Sequence, residues 1–165
     1  MIQRCFVALL FVSLLCTCGP SPSNDTAERP APATAPSATS AAAVEYPSIP
    51  LERLEYIFEN ATYMDATFYN LPISINQSER PQIQSTIASV AQATMPLEAG
   101  CKTVGHIWFQ VNGKNIEEAD IFYEEQCVGY LWYENGKPAY SNMMTEAGYN
   151  FYATIFAQVN GQAPR

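Results

Sequence analysis

The sequence predicts an α+β fold, in which an antiparallel meander of four strands carries about three helices, mainly on one face. Residues 104–143 contain four stretches of strand-like composition, and Asn112-Gly113 and Asn135-Gly136 are dipeptides that commonly close β-hairpins. The flanking segments instead repeat their apolar residues every three or four positions, as helices do. The resulting order of helix, strand, helix, four strands and helix is typical of the α+β class.

Helix boundaries follow from proline and from capping residues. Pro50 fits the first turn of a helix, and the apolar spacing after it predicts a helix that ends near Asn60. Ser78 is the expected N-cap of a second helix, which should end before Pro96 because proline cannot continue a helix. A closing helix is predicted after Thr145, which can cap it.

Residues 62–70 favour a fifth strand, because Tyr63, Phe68 and their neighbours have high strand propensity. Pro72 follows closely and lacks the N–H that a strand ladder needs. We therefore expect this strand to lie at an edge of the sheet or to be short.

Composition and charge exclude several functions. The chain has 165 residues, with eight Lys and Arg against 16 Asp and Glu, and a formal charge of −8. It has no cluster of basic residues for phosphates, so we expect no nucleic-acid partner. One His and no Cys-x-x-Cys pair argue against a zinc site, and we expect no metal and no cofactor. Residues 46–165 contain every Tyr and Trp, and we expect them to form a single domain.

The N-terminus has the features of an export signal. A basic start precedes an apolar run of about a dozen residues, which is too short to cross a bilayer of about 30 Å but suits a signal peptide. Leu15 lies three positions before Cys18, and this arrangement resembles the lipobox of small bacterial cell-envelope lipoproteins. The resemblance implies a signal peptide over residues 1–17, a lipid on Cys18, and a protein anchored to a membrane in the envelope, on the periplasmic side or at the cell surface.

Two alternatives at this site stay open. Cys16 also follows a leucine and is a second candidate for lipidation, and cleavage could leave no lipid at all.

Residues 18–45 consist mostly of Pro, Ala, Ser and Thr. Such a segment buries too little apolar surface to offset the entropy lost on ordering, so the composition predicts a disordered tether.

Two cysteines, Cys101 and Cys127, lie within the predicted domain. They precede the first and third strands of the meander, which begin at the same end of the sheet. Cys101 can reach Cys127 from the loop before its strand, and an exported protein favours oxidation, so we expect a disulfide. Two free buried thiols are the alternative.

The register of the meander decides what surrounds the one histidine. If Lys114 extends the Asn112-Gly113 turn as a bulge, the apolar residues of both strands fall on one face. His106 then lies opposite Asp120, and Trp108 lies opposite Glu118. The predicted core face is Ile107, Phe109, Ala119, Ile121, Tyr123, Val128, Tyr130 and Trp132.

The opposite face of the sheet is the candidate functional surface. It is predicted to present Trp108, Glu118, Tyr133 and Tyr140, and a face that mixes rings with carboxylates suits the binding of a protein or a glycan. The alternative is that residues 61–75 cover these rings. His106 and Asp120 could instead form the acid–base pair of a small hydrolase, although no nucleophile motif accompanies them. We expect a non-enzymatic binding module.

Overall fold

The computed structural model describes residues 43–124 and 126–161. The predicted signal peptide, Cys18 and most of the predicted tether lie outside them. The elements in chain order are α1 Leu51–Asn60, β1 Tyr63–Phe68, β2 Ser74–Gln77, α2 Arg80–Ile87, β3 Thr103–Val111, β4 Lys114–Glu124, β5 Cys127–Glu134, β6 Lys137–Met143 and α3 Glu146–Gly161. The six strands form one antiparallel sheet in the order β2-β1-β3-β4-β5-β6, which confirms the α+β class and the four-stranded meander.

The position predicted for the fifth strand is wrong. β1 lies inside the sheet between β2 and β3, and the short β2 occupies the edge. Pro72 lies in the connection between β1 and β2, where its missing N–H removes no ladder hydrogen bond. The second helix is also shorter than predicted, since α2 ends at Ile87, and Val90 forms an isolated bridge with Met144 instead.

The hairpin turns hold the register of the meander. Asn112 and Asn135 have φ angles of 50° and 53°, and the glycine after each has a positive φ as well, which is the geometry of two-residue hairpin turns. The extra residue expected at Lys114 lies instead at Ile116, as a bulge between the Gln110 and Phe109 pairs. Beyond that bulge the predicted pairing of β3 with β4 is confirmed.

One face of the sheet packs against the helices and forms the main core. Every residue of the predicted core face belongs to this cluster, together with Met64 and Ala66 from β1. α1 contributes Leu54 and Ile57, and α3 contributes Tyr152, which is fully buried. We call this side of the sheet the helix-covered face.

The opposite side is the outer face, and a loop covers one end of it. Met95 from this loop packs with Phe122 and Leu131 in a second, smaller buried cluster. Gly129 allows the close approach, because a Cβ there would collide with the Met95 sulfur and with a β6 backbone oxygen. The predicted disulfide is present: Cys101 in this loop is bonded to Cys127, with their Cα atoms 5.8 Å apart.

The β6 edge of the sheet is closed by other parts of the chain. Met143 exchanges backbone hydrogen bonds with Ala91 and Ala93, and the Ser141 N–H donates to Pro47. Val44, within the predicted tether, exchanges two backbone hydrogen bonds with Leu97 and so joins the domain. Within the described part of the chain, no helix is both long enough and apolar enough to cross a membrane.

Candidate binding face

The uncovered part of the outer face is a patch of rings and carboxylates on four adjacent strands. Alternation along the strands directs nine side chains to it. These are Tyr63, Asp65, Thr67, His106, Trp108, Gln110, Glu118, Asp120 and Tyr133. The two strands within residues 61–75 do not cover the patch, because β1 and β2 extend the sheet in its own plane, and Tyr69 after β1 lies near Asp120 at the border of the patch.

A hydrogen-bonded chain of three side chains lies at the centre of the patch. His106 Nδ1 lies 2.7 Å from Asp120 Oδ1, and the Tyr133 hydroxyl donates to Asp120 Oδ2 over 2.8 Å. His106 and Asp120 are directly opposite each other on β3 and β4, as predicted. Because both carboxylate oxygens are engaged, the imidazole and the phenol are fixed relative to each other.

Burial, together with Asp120, raises the pKa of two neighbouring phenols. Burial, followed by the hydrogen bond and the charge of Asp120, raises the pKa of Tyr133 well above its ordinary value. Burial and then the Asp120 charge raise the pKa of Tyr69, whose ring borders the patch and is 57% exposed. Both phenols therefore stay neutral at physiological pH and can donate hydrogen bonds.

The second ring nitrogen of His106 has no hydrogen-bond partner and is shielded from solvent. It lies 3.6 Å from Glu118 Oε2, beyond the usual hydrogen-bonding distance, and the imidazole is only 13% exposed. The Trp108 ring packs against the imidazole with 4.4 Å between ring centroids. Trp108 thus contributes to the shielding of this nitrogen.

Trp108 lies between two carboxylates. Asp65 on β1 is its partner on one side, and Glu118 on β4 is its partner on the other. The amide of Asn76 on β2 donates to Asp65 and holds that carboxylate in position. The Glu118 side chain is 38% exposed, so its charge is available to a ligand.

Tyr140, the fourth predicted binding residue, is not on this face. A bulge between Trp132 and Tyr133 shifts the β5–β6 register and places Tyr140 opposite Trp132 on the helix-covered face. There the Arg53 guanidinium lies 5.1 Å from the centre of its ring. The prediction failed because the sequence around Asn135-Gly136 marks the turn but not the bulge.

The sequence did not indicate that four of the nine patch residues lie on this face, namely Tyr63, Asp65, Thr67 and Gln110, and it did not place Tyr69 at the border of the patch. Asp65 and Tyr63 belong to β1, and the prediction that β1 was an edge strand kept them away from His106 and Trp108. Tyr69 follows β1, where its N–H donates to the Val104 carbonyl. A signal for the face was present, because Asp65 and Thr67 alternate with the buried Met64, Ala66 and Phe68 as in a strand with one face buried.

No group of three or more His, Cys, Asp or Glu side chains is arranged to hold an ion among residues 43–124 and 126–161.

Comparison with known proteins gives no match to a family model, a curated protein or a solved structure.

Proposed function

We propose that this protein is a non-enzymatic binding module of the bacterial cell envelope, which is held at a membrane by a lipid on Cys18 and binds a protein or a glycan through the outer face. The observation that carries the proposal is the patch around Trp108. Its rings and carboxylates are only partly buried, whereas the other end of the same face is covered by the disulfide-bonded loop.

The fixed geometry of the patch supports a binding role. The hydrogen bonds of Asp120 orient His106 and Tyr133 before any ligand arrives, so little side-chain entropy is lost on binding. Trp and Tyr side chains present large surfaces with few rotatable bonds, and they are enriched at interfaces.

A small hydrolase that uses His106 with Asp120 is the second candidate. The 2.7 Å contact between them favours it, because a carboxylate at Nδ1 leaves Nε2 as the basic nitrogen. That nitrogen is shielded from solvent in this structure, so a substrate atom could reach it only after a neighbouring side chain moves. This shielding makes binding the better-supported function.

Replacement of His106 separates the two functions. His106→Ala in an enzyme would abolish turnover and leave the fold intact, whereas a binding module would keep most of its affinity through Trp108 and Glu118. Loss of a measurable hydrolytic activity in His106→Ala, with an unchanged melting temperature, would contradict the proposal.

Anchoring is tested separately, since Cys18 lies outside the described residues. Mass spectrometry of the native protein should find an acylated N-terminal cysteine, and Cys18→Ser should move the protein to the soluble fraction. An acylated Cys16, or an unlipidated N-terminus at another residue, would contradict the assignment of Cys18.

The binding face is tested by the recovery of partners. The intact protein should be crosslinked mildly in the producing cells and purified as wild type, as Trp108→Ser and as the control Tyr56→Ser. Tyr56 is an exposed aromatic residue on α1, 51% accessible, and not part of the patch. We expect wild type and the control to retain the same partner and Trp108→Ser to lose it. Equal recovery with all three proteins would contradict the proposal.

A further inference from the structure

The patch contains a row of three side chains with a defined chemistry. Asp65, Trp108 and Glu118 are neighbours across β1, β3 and β4 and all point to the outer face. Adjacent strands lie about 4.8 Å apart, so the backbone of Trp108 lies at about that distance from the backbones of the two acidic residues on either side. A cation placed over the indole would be attracted by the ring and by a negative charge on each side.

The same protein already binds a cation in this way on its other face. Arg53 donates two hydrogen bonds of 2.7 Å to Glu117 and one of 2.8 Å to Glu134, with its guanidinium over Tyr140. One ring and two carboxylates thus hold one arginine of α1. The row around Trp108 has the same three components, and the nine side chains of the patch include no Lys or Arg.

The histidine of the patch does not replace the missing cation. Its Nδ1 is directed to Asp120, and its Nε2 remains 3.6 Å from Glu118. Asn76 supplies a neutral amide to Asp65 and leaves the charge of that carboxylate in place. Two carboxylates therefore flank the half-buried indole, with no Lys or Arg side chain of the described chain between them.

We propose that Asp65, Trp108 and Glu118 bind a lysine or arginine side chain of a basic peptide segment in a partner protein. The inference rests on the proposed binding function of the outer face and names its ligand class. A neutral sugar stacked on Trp108 would offer the two carboxylates hydroxyl hydrogen bonds but no opposite charge, and an acidic glycan would be repelled. The formal charge of −8 adds a long-range attraction for basic partners.

A pair of synthetic peptides tests the proposal with the folded protein. One peptide carries two arginines between glycines, the other carries two glutamates, and both have blocked ends. Binding is followed by the indole resonance of Trp108 and by isothermal titration at low salt. We expect only the arginine peptide to shift this resonance, and we expect its affinity to fall as salt increases.

Matched variants separate the row from the overall charge. Asp65→Asn with Glu118→Gln should weaken binding of the arginine peptide by at least about tenfold. Glu52→Gln with Glu55→Gln changes the net charge equally on the exposed side of α1 and should leave binding almost unchanged. Equal losses in both double variants would show attraction by net charge alone and would overturn the proposal.

Binding of a glycan would distinguish the proposed cation site from the general proposal that the outer face binds a ligand. A neutral oligosaccharide that shifts the Trp108 resonance, when the arginine peptide does not, would overturn the cation site and leave the binding face supported. If Trp108→Ser retains the native partner of the protein, the binding face itself fails. The two results come from different measurements and cannot be confused.

Discussion

The two tryptophans of the chain lie on opposite faces of the sheet, and replacing each by alanine tests that arrangement. Trp132 is fully buried on the helix-covered face and packs against Phe109 and Tyr130, with ring centroids 6.2 Å and 5.8 Å away. Removal of a buried Trp costs about 3–5 kcal/mol through lost transfer energy and the cavity left behind. Trp108 is half-buried, and its packing partner is the His106 ring. We expect Trp108→Ala to cost about 1–2 kcal/mol, because solvent already reaches part of the ring.

Thermal unfolding followed by far-ultraviolet circular dichroism measures the difference. In a domain of this size about 1 kcal/mol corresponds to roughly 3–6 °C in melting temperature. Trp132→Ala should therefore lower the melting temperature by about 10–25 °C, and Trp108→Ala by less than half of that. If Trp108→Ala lowers the melting temperature as much as Trp132→Ala, then Trp108 belongs to the core and the outer face is not a surface.

Three further predictions concern stability. Reduction of the disulfide, which joins residues 26 positions apart, should lower the free energy of unfolding in denaturant by about 3 kcal/mol. Unfolding curves that do not change on reduction would contradict this. Asn142→Leu removes three hydrogen bonds and leaves the buried Ile49 N–H without its acceptor, so it should lower the free energy of unfolding by about 3 kcal/mol. The control Asn150→Leu, at an exposed position, should change it by less than about 0.5 kcal/mol. The pKa of Tyr133 is raised on folding, so its contribution to stability is complete below pH 10 and decreases as pH rises further. In urea unfolding at pH 9–11, Tyr133→Phe should therefore flatten the decrease of the free energy of unfolding with pH. A dependence on pH that is the same in wild type and variant would refute this.

The meander was predictable from the sequence because its turns are local. Asn112-Gly113 fixes a hairpin through positive φ angles, and strand alternation fixes which residues are buried. Together they gave the pairing of His106 with Asp120 and of Trp108 with Glu118. Cys101 and Cys127 could be paired because two consecutive hairpins return the chain to the same end of the sheet.

Non-local contacts were not predictable in the same way. β1 pairs with β3 across a sequence separation of about 40 residues, and no turn residue fixes its place in the sheet. Asp65 was therefore absent from the site that the sequence predicted. The bulge before Tyr133 depends on how β5 and β6 twist together, and that single shift moved Tyr140 to the opposite face.

The outer face presents a half-buried tryptophan, Trp108, between the carboxylates Asp65 and Glu118. Ionic quenching of tryptophan fluorescence tests it directly, because Trp132 is fully buried and Trp108 is the indole that quenchers can reach. Caesium and iodide are compared at constant ionic strength, each relative to free N-acetyltryptophanamide. We expect caesium to be favoured over iodide in wild type, and Asp65→Asn with Glu118→Gln to remove the preference. Equal or greater access for iodide in wild type would contradict the claim.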